Sequence, residues 1–129
     1  MFQTARTPVE DAEAGGLRVG DASVSIDRSG LYPIVVVTGR VTIDSTPRLR
    51  SVLIEVLRQS APSVLVVDLS QVSHIDTSGF AVLIEVLTFA HEHSIRLRVI
   101  GINGQPRSLA ELAQLDQIFT ALESEVVFS

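Results

Sequence analysis

The sequence predicts an α/β domain, a mixed β-sheet with helices packed against it in the order ββαβαβαβ. Three observations predict it. Apolar, β-branched runs at 32–41, 64–67 and 95–100 have the length and composition of strands. The stretches between them carry apolar residues at helical spacing. Strand and helix therefore alternate, which calls for crossover connections and a partly parallel sheet.

Taken in order, residues 1–22 are rich in Gly, Ala, Pro and charge and lack periodicity, so they read as a mostly disordered leader with room for a short strand at its end. The domain itself spans 23–129. Its opening hairpin pairs the alternating Ser23–Asp27 with the apolar Tyr32–Val41 across Arg28-Ser29-Gly30. Asp44-Ser45-Thr46-Pro47 is a helix start: Thr46 suits the cap, and Pro47 suits the first helical position, where a missing N–H costs nothing. That helix is expected to run to about Gln59. Leu49, Val52, Leu53 and Val56 share one face and Arg48, Arg50, Ser51, Glu55 and Arg58 the other, with Ile54 breaking the pattern. Pro62 ends the linker, and Val64–Val67 reads as a central strand that Asp68 terminates. A second helix is expected from Thr77 to about His93, then a strand at Ile95–Ile100, a turn at Gly101-Ile102-Asn103-Gly104, a helix at about Arg107–Ala113 and a last strand at Val126–Phe128.

The composition excludes several functions. The chain has 129 residues, 46% of them hydrophobic, enough for one domain with a real core. Ten basic against fifteen acidic residues, a net charge of −5, leave no basic footprint for direct nucleic-acid binding. All the basic residues are Arg, so lysine-dependent phosphate loops and Schiff-base chemistry drop out. Without Cys there is no disulfide framework or thiol nucleophile, which fits a reducing compartment. No stretch has the length of a membrane span or the layout of a signal peptide, so a soluble, cytoplasmic protein is expected.

The most informative stretch is Asp68-Leu69-Ser70-Gln71-Val72-Ser73-His74-Ile75-Asp76-Thr77-Ser78-Gly79-Phe80. A hydrophobic strand, an Asp-Leu turn and Asp-Thr-Ser-Gly opening a helix resemble the STAS domain family, in its anti-sigma factor antagonist branch. The likeness runs over about Ser23–Phe128 and includes Gly39, Pro47-Arg48-Leu49 and the closing Leu112–Phe119 segment. The resemblance implies a STAS-like fold and a non-enzymatic phosphoprotein of bacterial signalling. It implies a phosphoacceptor at the hydroxyl residue directly after the Asp, here Thr77, with Ser78 in reserve. The implied partner is an anti-sigma factor that is also a serine kinase, bound by the unphosphorylated form, so that phosphorylation regulates sigma-factor-dependent transcription. A weak homodimer is a further candidate partnership. A second reading is a non-switching scaffold subunit of a lipid-transport or stress-signalling complex.

Physical chemistry gives its own account of these residues. A helix start offers unpaired N–H groups and partial positive charge, so it suits a phosphate. A phosphoryl group beside Asp76 would add about −1.5 to −2 charges next to a carboxylate and change the local surface sharply. Equally, Asp76 and Thr77 are what a plain helix cap uses. Gly79 suits close approach by a partner or close packing of the helix on the strands.

On the second helix, Phe80, Leu83, Ile84, Leu87 and Ala90 form a core stripe, and Val82, Val86 and Phe89 widen it past half the circumference. That surplus is expected to meet either the first helix or a partner protein beside Thr77. The family's antagonists carry Gly-Glu-Leu-Asp at the end of the early strand, where this chain has Gly39-Arg40-Val41-Thr42, followed by Asp44. Arg40 and Thr42 thus stand at the positions of the two acidic residues, which the resemblance implies face the partner, with Asp44 as a candidate substitute two residues on, and the altered charge can change partner choice. His74, His91 and His93 lack the spacing and companions of a metal site, and no nucleophile elbow appears. No cofactor, metal or catalytic residue is expected.

Overall fold

The computed structural model describes residues 6–7, 17–19 and 21–128. Among the described residues seven strands form one sheet: β1 (Arg6–Thr7), β2 (Leu17–Val19), β3 (Ala22–Asp27), β4 (Ile34–Val41), β5 (Val64–Ile75), β6 (Arg96–Ile102) and β7 (Glu125–Phe128). Four helices complete it: α1 (Thr46–Ser60), α2 (Thr77–Glu92), α3 (Gly104–Leu112) and α4 (Leu115–Ala121). The strand order is β1-β3-β4-β5-β6-β7, with β2 also on the β3 edge. The β3–β4 pair is antiparallel and the β4–β5, β5–β6 and β6–β7 pairs are parallel, the mixed sheet the alternation predicts.

One side of the sheet holds the core. Val24, Ile26, Val35, Val37, Leu65, Val67, Leu97 and Val99 alternate along their strands and join Leu53, Val56 and Leu57 of α1, Leu83 and Leu87 of α2 and Phe119 of α4 in a single buried cluster. The opposite parity carries Thr38, Arg96 and Arg98, which stay in partial or full contact with water. Period-two burial in the strands and helical spacing in the helices thus meet on the same face.

Four departures from the sequence reading are local. Arg6–Thr7, within the expected leader, pairs with β3, as does Leu17–Val19, the short strand expected at the leader's end, and the remainder of residues 1–20 lies outside the described residues. Strand β5 does not stop at Asp68 but runs on to Ile75. The register against β4 slips there, and the Asp68 carboxylate accepts the Ser70 N–H at 2.8 Å, a bulge that carries a polar stretch through the sheet. Gly101 and Ile102 finish β6 and Gly104 opens α3, so the expected turn shrinks to Asn103 at the cap position. Helix α4 occupies part of the segment between the last expected helix and strand, with only Leu115 and Phe119 fully buried, too few residues to show a period.

Candidate functional site

Helix α2 starts where β5 ends, and Asp76-Thr77-Ser78-Gly79 lies at that junction. Asp76 is the N-cap in extended backbone geometry. Its Oδ1 accepts the Gly79 N–H at 3.0 Å and the Ser78 hydroxyl at 2.5 Å, and its Oδ2 accepts the Ile43 N–H at 3.2 Å. The Ser78 hydroxyl, with the N–H groups of Gly79 and Ile43, holds the Asp76 carboxyl below its ordinary range against the opposing effect of burial. One carboxylate therefore ties together the start of α2 and the loop between β4 and α1.

The two hydroxyls beside it differ. Ser78 is half-buried and committed to Asp76, whereas Thr77, the first helical residue, is exposed and its hydroxyl makes no hydrogen bond among the described residues. Gly79 is buried. A Cβ there would run into the Cγ1 of Ile75 and stand 3.0 Å from the Cγ1 of Val41, so Gly79 serves the packing of helix on strands rather than contact with a partner.

The strand end is held from a second side. Pairing of β5 with β6 ceases after Asp68–Ile100, leaving the far end of β5 without that neighbour. The Gln105 side chain of α3 takes its place: its Oε1 accepts the Ile75 N–H at 2.9 Å and its Nε2 donates to the Ile75 carbonyl at 2.8 Å. Gln105 went unnoticed in the sequence, as no local pattern links it to a residue 30 positions earlier.

Of the residues expected to face a partner, Arg40 and Asp44 are exposed and Thr42 is half-buried. Gly39, at φ +94, lets the Arg40 N–H donate to the Asp21 carbonyl, which a Cβ at Gly39 would strike. Arg40 lies opposite His74 in the β4–β5 register, and Asp76 donates its N–H to the Val41 carbonyl, so these positions and the start of α2 share one end of the sheet. For Val82 and Val86 the packing branch of the wide-arc expectation holds and the partner-facing one is corrected. The two residues are 5% and 0% exposed, belong to the core and are not surface for a partner. Phe89 is half-buried and stacks on His93 at 4.1 Å. Burial of Val82 and Val86 places the surplus of α2 among the packed residues of the core, with Arg50 and Glu85 bridging α1 and α2 at 2.8 Å. Ile43, 69% exposed, was missed, although an apolar residue between Thr42 and Asp44 in a turn was a usable signal.

The profile of the STAS domain family matches residues 23–127. The chain belongs to the STAS domain family. Solved structures with this fold include an anti-sigma factor antagonist from Mycobacterium paratuberculosis, 20% identical over 83% of this chain and 99% of that one, with a TM-score of 0.68. The anti-sigma factor antagonist SpoIIAA in its unphosphorylated form is 11% identical, covers 83% of this chain and 89% of its own, and has a TM-score of 0.61. The murine anion transporter Slc26a9 aligns with 84% of this chain over 19% of its own length, at 16% identity and a TM-score of 0.64. No curated protein sequence matches the chain. These likenesses establish the STAS fold seen here, a mixed sheet with helices packed against it.

Other parts of the STAS domain do not converge on this site. A cavity of about 500 Å³ lies at the other end of the sheet, between Tyr32, Val64, Arg96, Arg98 and Glu125. Among the described residues no group of His and acidic side chains is placed to hold a metal, and no helix is long and apolar enough to cross a membrane.

Proposed function

We propose that this STAS domain is an anti-sigma factor antagonist of the bacterial cytoplasm, switched by phosphorylation at Thr77. Unphosphorylated, it binds an anti-sigma factor that is also a serine-protein kinase and so frees a sigma factor for transcription. The kinase moves the γ-phosphoryl group of ATP to the Thr77 Oγ1, ADP leaves, and the hydroxyl proton passes to the kinase's base. The protein is the substrate of that step and not an enzyme.

The observation that carries the reading is the exposed, uncommitted Thr77 hydroxyl at the first turn of α2, beside Asp76. The same position supports the off state, since about −1.5 to −2 charges added there meet a partner that fitted the bare surface. Ser78 remains the reserve acceptor, though its hydrogen bond to Asp76 has to break first. Arg40 and Asp44 present both signs of charge at the edge of the site and set which kinase is accepted.

The test is incubation of the full chain with ATP and each anti-sigma kinase of the same genome, followed by site mapping by mass spectrometry. Label at Thr77 is expected, and absence of label at Thr77 and Ser78 with every kinase sinks the reading. The alternative, a non-switching scaffold subunit, draws on the likeness to a part of Slc26a9 that makes up 19% of that chain. It predicts stable co-purification of a partner that survives Thr77→Glu unchanged.

A further inference from the structure

Phosphorylation of one hydroxyl has to be felt by whatever surface docks the partner, and the structure contains a direct connection. Ile43 stands 69% exposed at the tip of the loop between β4 and α1. A lone exposed aliphatic residue is ordinary on a protein surface. Two further facts set Ile43 apart.

The first is rigidity. Ser45 is fully buried; its Oγ accepts the Thr42 N–H and donates to the Thr42 carbonyl, each at 3.0 Å. The same carbonyl accepts the N–H groups of Ser45 at 2.9 Å and of Thr46 at 3.0 Å. The loop is thus closed by its own hydroxyl and backbone, and Ile43 is displayed with little conformational freedom left to lose on binding. The second is its own N–H, which donates to Asp76 Oδ2 at 3.2 Å. The carboxylate that caps the phosphoacceptor helix also holds the backbone of the exposed residue.

Building on the proposed switch, we propose that Ile43 is the apolar anchor of the docking surface and that Asp76 latches it to the phosphorylation state of Thr77. The partner, the anti-sigma kinase, offers an apolar socket sized for one branched aliphatic side chain. A phosphoryl group on Thr77 repels the Asp76 carboxylate and competes for the N–H groups at the start of α2. Asp76 then releases the Ile43 N–H, the loop loses one of its two supports, and the anchor no longer arrives preformed.

The experiment has two arms, both on the full chain. In the first, the Ile43 amide is followed by NMR and hydrogen exchange in wild type, Thr77→Val and Thr77→Glu. Thr77→Glu is expected to shift the Ile43 resonance and speed its exchange about tenfold, with Thr77→Val near wild type. An Ile43 amide that does not respond to Thr77→Glu overturns the latch. In the second, each purified anti-sigma kinase of the same genome is titrated calorimetrically against wild type, Ile43→Ala and Leu31→Ala, the last a residue 86% exposed in the β3–β4 connection. Ile43→Ala is expected to bind about tenfold or more weakly, from the apolar surface withdrawn from the socket, and Leu31→Ala to bind as wild type. Wild type and Ile43→Ala binding alike overturns the anchor while leaving the switch intact. If no kinase binds wild type, the antagonist reading itself falls and takes the anchor with it.

Discussion

Two helix starts in this chain are written in almost the same letters. Asp44-Ser45-Thr46-Pro47 opens α1 and Asp76-Thr77-Ser78-Gly79 opens α2. At α1 the hydroxyls turn inward: Ser45 is 0% and Thr46 6% exposed, Ser45 closes the loop, Asp44 is exposed and no side chain caps the helix. The expectation that Thr46 caps is therefore corrected, because its hydroxyl donates instead to the Ile43 carbonyl at 3.4 Å. At α2 the carboxylate caps, one hydroxyl binds to it, and the other is left to solvent. A shared vocabulary of Asp, Ser and Thr thus yields a closed, buried loop in one place and an exposed hydroxyl in the other. What separates them is which residue the backbone turns toward the core.

The sharpest way to break this comparison is the kinase assay. Thr77→Ala is expected to abolish label, and Thr46→Ala to leave it at the wild-type level, read by mass spectrometry; label moving to Thr46 would erase the distinction. Next in size is Gly79→Ala, which sets a methyl group against Ile75 and Val41 and is expected to cost about 1–3 kcal/mol in denaturant unfolding.

The two aspartates test the caps directly. Asp76→Ala is expected to lose about 1–2 kcal/mol, while Asp44→Ala stays within about 0.5 kcal/mol of wild type. The pH dependence has a fixed sign. Asp76 has its pKa lowered below 3.8 in the folded state, so its contribution is complete above that unfolded value and is lost as pH falls through the folded one. The difference between wild type and Asp76→Ala should therefore shrink in acid, and a difference that grows there contradicts the hydrogen-bonded carboxylate. Smallest is Gln105→Ala, about 1 kcal/mol for a pair of partly exposed hydrogen bonds. It should speed exchange of the Ile75 amide while leaving Leu65, deep in the same strand, protected.

Much of the fold was legible. Val35, Val37, Leu65 and Val67 announce strands, and Leu49, Val52, Leu53 and Val56 announce an amphipathic helix, because burial on one face imposes a period that survives in the sequence. The course of β5 past Asp68 was not legible. Ser70, Gln71, Ser73 and His74 have no strand-like composition, and a bulge satisfied by the Asp68 side chain carries them. Helix α4 was missed because two buried residues show no period.

For the site, the sequence by itself determined which side chains can carry phosphate, that Asp76 can cap α2, and that helix and strand meet at this point, since these follow from residue chemistry and local periodicity. Only the tertiary structure decided that Thr77 and not Ser78 is the uncommitted hydroxyl, that Val82 and Val86 are spent on the core, and that Ile43 and Gln105 reach the junction of β5 and α2 from 33 and 30 residues away. Exposure and hydrogen-bond commitment depend on what the folded chain brings alongside, and no local pattern encodes that.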